Sequence, residues 1–287
     1  MDPARGHVPA EVTTLRVAPD LALPLSIWRS PAPRVAIALL HGLGEHAGRY
    51  HALASALVDA GASVLALDLP GHGRATGPRG HLPWERVRDE AVTALLAEAS
   101  ARTAAHGALP RVLFGHSMGG VLALDHALAH PEGLAGLVLS SPGLRIPPPP
   151  ASKVAAARVA AVVTPTAGFP NGLDPHGISR DPEVVARYQD DPLVHDRISP
   201  STFFAFTAAA GRGRDGAPTL RVPTLLVHGM ADRLVDPAGS VAFAAAAPDG
   251  LVHFVPFAHG AHELFNDLDR DAAIAAVRDW LRDRGIR

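Results

Sequence analysis

Six short runs of uninterrupted apolar residues recur along the chain: RVAIALLHG (34–42), SVLALDL (63–69), RVLFGHS (111–117), GLVLSSP (136–142), PTLLVHGM (223–230) and LVHFVPF (251–257). Continuous rather than alternating apolar character marks strands buried on both faces, as in a parallel sheet sandwiched between helices. Between the runs lie alanine-rich stretches at 49–61, 85–107 and 118–133, each stopping near a glycine, and a last amphipathic stretch at 271–285. This alternation predicts an α/β fold with a mostly parallel central sheet and helices on both faces. The earlier segments EVTTLRVA and LALPLSIWRS read instead as an antiparallel edge hairpin.

One interval breaks the rhythm. Residues 143–217 hold PPPP, the helical stretch ASKVAAARVAAVV and two glycine-proline clusters. PEVVARYQ and STFFAFTAAA, within it, carry apolar residues that need burial, so the interval is no linker. The expected organisation is a core of 1–142 and 218–287 with an inserted helical cap at 143–217.

Composition narrows the chemistry. At 47% apolar and 19% charged, 287 residues can build one large core. A net charge of −2 with no long basic run gives no footprint for nucleic acid. There is no cysteine, which removes disulfides and thiolate chemistry. The sixteen histidines never show the His-Glu-x-x-His spacing of a zinc site, so neither metal nor cofactor is expected. The N-terminus lacks a basic region followed by an apolar core, and no stretch reaches the roughly 20 apolar residues of a membrane span. The expected compartment is the cytoplasm, with peripheral membrane contact through the cap.

GHSMG at 115–119 has the Gly-x-Ser-x-Gly spacing of a nucleophile elbow, placed between a strand and a helix. Small neighbours let strand and helix approach, and the helix N-terminus turns its free N–H groups toward developing negative charge. The same letters would also suit a plain turn with a serine cap, so the partners decide. HGLGEH at 41–46 ends an earlier strand and offers the N–H of Leu43, with that of Met118, as an oxyanion hole. His41 itself reads as a packing residue. In VHGMADRLVDP two carboxylates compete. Asp236 precedes a proline and a helix, as a cap would; Asp232 sits in the strand-end loop and is favoured as the orienting acid. In AHGAHELFND, His259 and His262 compete as the base. Spacing separates them only weakly, and the helical ELFND after His262 favours it. GHGRATG (71–77) lacks the Gly-Lys-Ser/Thr of a phosphate loop and reads as a strand-end turn.

On these motifs the chain resembles the monoacylglycerol lipase family of α/β-hydrolases, also described as serine aminopeptidase-like or lysophospholipase-like. HGLGEHAGRY, GHSMGG, ADRLVD and GAHELFND follow that family's signatures, and ARYQDDPLV resembles its cap segment, over roughly residues 20–287. The resemblance implies an α/β-hydrolase fold, Ser117, Asp232 and His262 as the catalytic set, and a lipid ester as substrate. It further implies that Glu45, Arg49, His116 and Tyr188 lie near the polar end of the substrate pocket. Glu45 and Arg49 could equally pair with each other across one helical turn. The alternatives are a carboxylesterase, a lysophospholipase, an aminopeptidase-like amidase, or a ligand receptor on the same scaffold. The order Ser…Asp…His fits α/β-hydrolases, and an epoxide hydrolase or dehalogenase would need a carboxylate where Ser117 stands.

Overall fold

The computed structural model describes residues 11–147 and 149–286. The N-terminal ten residues, part of the segment read for a leader, and one proline of the PPPP run lie outside it. Strands β1 (Glu11–Ala18) and β2 (Leu21–Trp28) form the expected hairpin. They are followed by β3 (Val35–Leu40), β4 (Ala62–Leu67), β5 (Arg111–His116) and β6 (Gly136–Ser140). A short ribbon, β7 (Phe169–Pro170) with β8 (Arg197–Ile198), stands apart; β9 (Thr224–Gly229) and β10 (Val252–Phe257) complete the main sheet. Its order is β1-β2-β4-β3-β5-β6-β9-β10, antiparallel at β1/β2 and β2/β4 and parallel elsewhere.

The crossovers use α1 (His51–Asp59), α3 (Val92–Thr103), α4 (Met118–Ala129) and α8 (Ala238–Ala246), and α9 (Arg270–Asp283) follows the last strand. The 85–107 stretch is less regular than its pattern suggests. It opens as a single turn, α2 (Trp84–Arg86), and passes through a wide π turn at Val87–Ala91 before α3. Trp84 is thereby buried, with its indole N–H donating to Asp125 at 2.8 Å.

Two apolar layers flank the sheet. Leu40, Leu65, Val121 and Leu139 belong to one, and Ile37, Phe114, Val138 and Trp280 to the other. All residues of β3, β4, β6 and β9 are buried. The last run departs from the fully buried expectation: along β10, His253 and Pro256 are exposed. β10 is the sheet edge, and a proline without an N–H is tolerated there because no further strand needs the donor.

Between β6 and β9 the chain leaves the sheet to form a helical cap of α5 (Ala151–Val163), α6 (Pro182–Asp190) and α7 (Pro200–Asp215). The two ends differ in burial. α7 joins the main core through Phe206, Ala209 and Ala210, and Arg212 pairs with buried Asp125 at 2.7 Å. α5 buries no residue, and Val159, Val162 and Val163 are 66%, 83% and 72% exposed. Among the described residues no helix is long and apolar enough to cross a membrane.

Candidate active site

Strand β5 ends at His116 and helix α4 begins at Met118, so Ser117 alone makes the turn. Its φ of 53° and ψ of −116° lie where residues with a Cβ rarely go. The surroundings impose this. Ser117 N–H donates to the Ser140 carbonyl at 2.9 Å, and the Ser117 carbonyl accepts from Val121 and Gly143, each at 3.1 Å. A Cβ on Gly119 would collide with the carbonyl oxygens of Leu40 and His41, so helix and strand can meet this closely only at glycine. We expect Gly119→Ala to destabilise the fold by at least about 1–3 kcal/mol, read as a lowered thermal midpoint; an unchanged midpoint would show that the elbow has slack.

The helix start leaves Met118 N–H without an intrahelical acceptor. The turn after β3 is fixed from two sides. Gly42 N–H donates to Glu45 Oε1 at 2.7 Å, and the Gly44 carbonyl accepts from His195 N–H at 2.9 Å. Leu43, between them, lines the same cavity as Ser117. His41 packs as expected: its Nε2 accepts from Leu69 N–H at 2.9 Å, and it is fully buried. GHGRATG is indeed a turn, with Gly71, Gly73 and Gly77 all at positive φ.

Asp232 and His262 meet. His262 Nδ1 lies 2.6 Å from Asp232 Oδ2, and both side chains are buried. Asp232 Oδ1 accepts from the N–H groups of Leu234 and Val235 at 2.8 and 3.0 Å, and Oδ2 also contacts His228 Nε2 at 3.1 Å. Burial opposes its charge, but the His262 ring and these donors outweigh burial and hold the carboxyl far below the usual carboxylate range. Burial likewise opposes a charged His262, yet the Asp232 carboxylate raises its pKa above the ordinary 6.5. The competing residues sit elsewhere. Asp236 caps α8 through Ala238 N–H at 2.9 Å and pairs with Arg145 at the surface, and His259 is exposed.

Glu45 and Arg49 do pair across one turn, at 2.8 Å, but as part of a larger buried group. Arg49 also forms a two-pronged bond to Glu263, both contacts 2.6 Å, and its guanidinium lies 4.6 Å over the Tyr188 ring. Glu45 Oε1 accepts in addition from Tyr50 at 2.7 Å. His116 packs its ring 4.8 Å from that of His262, and burial pushes it down to about 3, so it is neutral.

Sequence reasoning missed three residues. Glu263 neighbours His262, and its only signal was a carboxylate next to the chosen base. His228 is the penultimate residue of β9, and with its Nδ1 on Ser240 at 2.7 Å it presents Nε2 to Asp232. Asp267 anchors the His262 loop: it accepts from Ala261 N–H at 2.9 Å and from Arg180 Nε at 2.8 Å, joining that loop to the cap. The pairings of Glu263 with Arg49 and of Asp267 with Arg180 join residues far apart in the chain, and no local pattern marks them.

Ser117, Leu43 and His262 stand where two cavities meet. One, of about 360 Å³, is the more polar of the two, with Glu45, His116, Tyr188 and Glu263 in its wall. The other, of about 790 Å³, is mostly apolar and is walled by the cap through Ala157, Phe169, Phe203 and Phe206.

Comparison with known proteins points the same way. Residues 31–269 match the family model described as serine aminopeptidase, S33. The chain is 36% identical to a monoacylglycerol lipase of Mycolicibacterium smegmatis, across 87% of this chain and 88% of that protein. It is also 36% identical to human monoglyceride lipase, across 74% and 70%. The crystal structure of Paleococcus ferrophilus monoacylglycerol lipase superposes with a TM-score of 0.83 at 34% identity, covering 92% of this chain and all of that one. With fold, sequence and cap in agreement, this chain belongs to the S33-like monoacylglycerol lipase family of α/β-hydrolases and is a serine-type carboxylic ester hydrolase.

Proposed function

We propose that the chain hydrolyses monoacylglycerols to glycerol and fatty acid, with Ser117 as nucleophile, His262 as base and Asp232 as the orienting acid. The carrying observation is that a strained serine opens onto a smaller cavity with acidic and histidine side chains in its wall on one side and a larger, mostly apolar cavity on the other. Such a pair suits an ester with a small polyol and a long acyl chain. Ser117 Oγ attacks the acyl carbonyl while its proton passes to His262 Nε2, the nitrogen that Asp232 leaves free. The N–H groups of Leu43 and Met118 receive the oxyanion. Collapse expels the alcohol, which takes the proton from His262; water then repeats the cycle on the acyl-enzyme.

In this reading Glu45, His116 and Tyr188 line the alcohol side, Arg49 braces Glu45 and Glu263 behind it, and the cap, bounded at 143–217, forms the acyl side. Arg49 balances only one of the two buried carboxylates it holds, and Asp174 and Asp196 also line the smaller cavity. That excess of negative charge favours a neutral polyol over a phosphate headgroup. The exposed valines of α5, beside Lys153 and Arg158, provide a face through which a cytoplasmic enzyme reaches a lipid surface.

A panel of monoacylglycerols, lysophospholipids and short aryl esters tests this. We expect kcat/KM to be highest for monoacylglycerols and at least about tenfold lower for a lysophospholipid of equal acyl length, an amount that one unfavourable charge contact readily supplies. Faster turnover of short soluble esters, or of the lysophospholipid, would overturn the substrate assignment.

The base must be neutral to accept the serine proton, and Asp232 stabilises its charged form. Activity is therefore full at alkaline pH and falls as pH drops through the raised His262 value. The kcat/KM profile is expected to show an acid limb with its midpoint above 6.5; a midpoint well below it would contradict the assignment of His262.

A further inference from the structure

A second group of histidines lies where the cap meets the core, outside the catalytic set. The strap from Asp191 to Ile198 runs over the turns that follow β3 and β4. His195 N–H donates to the Gly44 carbonyl at 2.9 Å, and Ser199 N–H, just beyond the strap, donates to that of Gly80 at 3.0 Å. Gly44 has a φ of 79°, and a Cβ there would collide with the His195 carbonyl, so strap and turn are in direct backbone contact. Gly44 follows Leu43.

The side chains add a stack of three imidazoles. The His195 ring is 4.9 Å from that of His72, which is 5.4 Å from that of His41. Their hydrogen-bond partners fix the protonation. A carbonyl can only accept and a backbone N–H can only donate. His195 Nε2–H thus donates to the Gly71 carbonyl at 3.0 Å, and Nδ1 accepts from Arg197 N–H at 3.1 Å. His41 Nδ1–H donates to the Gly42 carbonyl at 2.8 Å, and Nε2 accepts from Leu69 N–H. Each ring has one donor and one acceptor in use, so each is neutral. His72 Nδ1–H donates to the Pro70 carbonyl at 2.9 Å, and its buried Nε2 has no partner among the described residues. A second proton on His195 or His41 would displace a backbone donor; on His72 it would be buried without an acceptor.

The surrounding charges mostly agree. Burial lowers the pKa of all three, His72 most strongly, and Arg79 adds to this at His72 and His195. Asp196 opposes it at His195, as Glu45 and Asp68 do at His41, while His46 disfavours charge on His41. His81, bonded to Ser199 and Ser201, continues the junction and is also lowered by burial. The nearby His46 Nε2–Asp191 Oδ2 contact, 2.8 Å, ties the start of the strap to the core separately from the stack.

We infer that His195 is a positioning residue for the Leu43–Gly44 turn, and that the His41–His72–His195 stack is a clasp that holds the cap strap on that turn when neutral and releases it in acid. The clasp rests on the contacts alone; its link to catalysis rests on the assignment of Leu43 above. The sign follows from the opened strap, in which His195 and His72 regain ordinary values near 6.5. The clasp is at full strength above about pH 6.5 and weakens by up to about tenfold per pH unit for each released ring below it.

Hydrogen exchange on the full chain tests the clasp, comparing peptides from 191–199 and from α4 at pH 7.5 and 5.5 after correction for intrinsic rates. Protection of 191–199 is expected to fall about ten- to a hundredfold while that of α4 holds. His195→Gln keeps a donor for Gly71 but cannot titrate, and should leave a dependence of at most about tenfold. Equal protection at both pH values, or an undiminished loss in His195→Gln, would overturn the clasp. At pH 8, His195→Ala should lower kcat about ten- to a hundredfold through a displaced turn, with little change in KM, and His195→Gln should recover most of it. A change confined to KM would overturn the positioning role. Absence of ester turnover in the wild type would instead defeat the hydrolase mechanism proposed above, and exchange would still decide the clasp.

Discussion

Ser117→Ala is expected to lower kcat for ester hydrolysis by about five to six orders of magnitude, with the fold intact. The change removes one oxygen and nothing that holds the elbow. The bonds that fix residue 117 run through its backbone, to Ser140, Val121 and Gly143. The Cβ is kept, so the strain of φ 53° is kept as well. What disappears is the oxygen that forms the acyl-enzyme in the proposed mechanism. The N–H groups proposed to receive the oxyanion, those of Leu43 and Met118, remain, so a weak residual rate above that in water should persist. A fluorophosphonate probe should label the wild type at residue 117 and fail to label the variant. Ester turnover within tenfold of wild type would remove Ser117 from the mechanism. Ser117→Gly makes a useful companion. Glycine adopts this backbone freely, so it should be equally inactive yet more stable, by about 1 kcal/mol. A gain in stability with loss of activity would show that the strain serves the chemistry and not the fold.

The elements that were legible in the sequence are those whose signal is local. Apolar runs announced the buried strands, because a strand covered on both faces leaves no room for polar residues. GHSMGG announced the elbow, because only small residues let α4 start against β5. β10 was misread as fully buried because apolar content alone does not distinguish an edge; Pro256 was the available hint. The capping task of Asp236 was legible, since a carboxylate before a proline and a helix has that place of its own. That His262 rather than His259 would meet Asp232 was barely so, because the contact spans 30 residues. Glu263, His228, Asp267 and the imidazole stack were not legible at all. Their meaning lies in partners brought together by the cap and by strand ends, such as Arg49 with Glu263 across 214 positions.

Asp232→Asn should produce the second largest loss, about 10³–10⁴-fold in kcat, and the local geometry says why. Oδ1 accepts two backbone N–H bonds, from Leu234 and Val235. An asparagine must keep its oxygen there, because an NH₂ facing two N–H donors would be repelled. Its NH₂ therefore takes the place of Oδ2, against His228 Nε2 and His262 Nδ1. His262 Nδ1 would then have to accept, which moves the ring proton to Nε2, the nitrogen that takes the proton of Ser117 in the proposed mechanism. The base is present but in the wrong tautomer. The same substitution removes the charge that raises the His262 pKa, so the acid limb of any residual activity should move down in pH. Asp236→Asn, at the surface cap, is the control and should stay within about twofold, since surface changes away from a site rarely exceed ±0.5 kcal/mol. If the two variants behaved alike, the buried contact would be architecture rather than mechanism. If Asp232→Asn lost activity without any shift of the acid limb, Asp232 would orient His262 without tuning it.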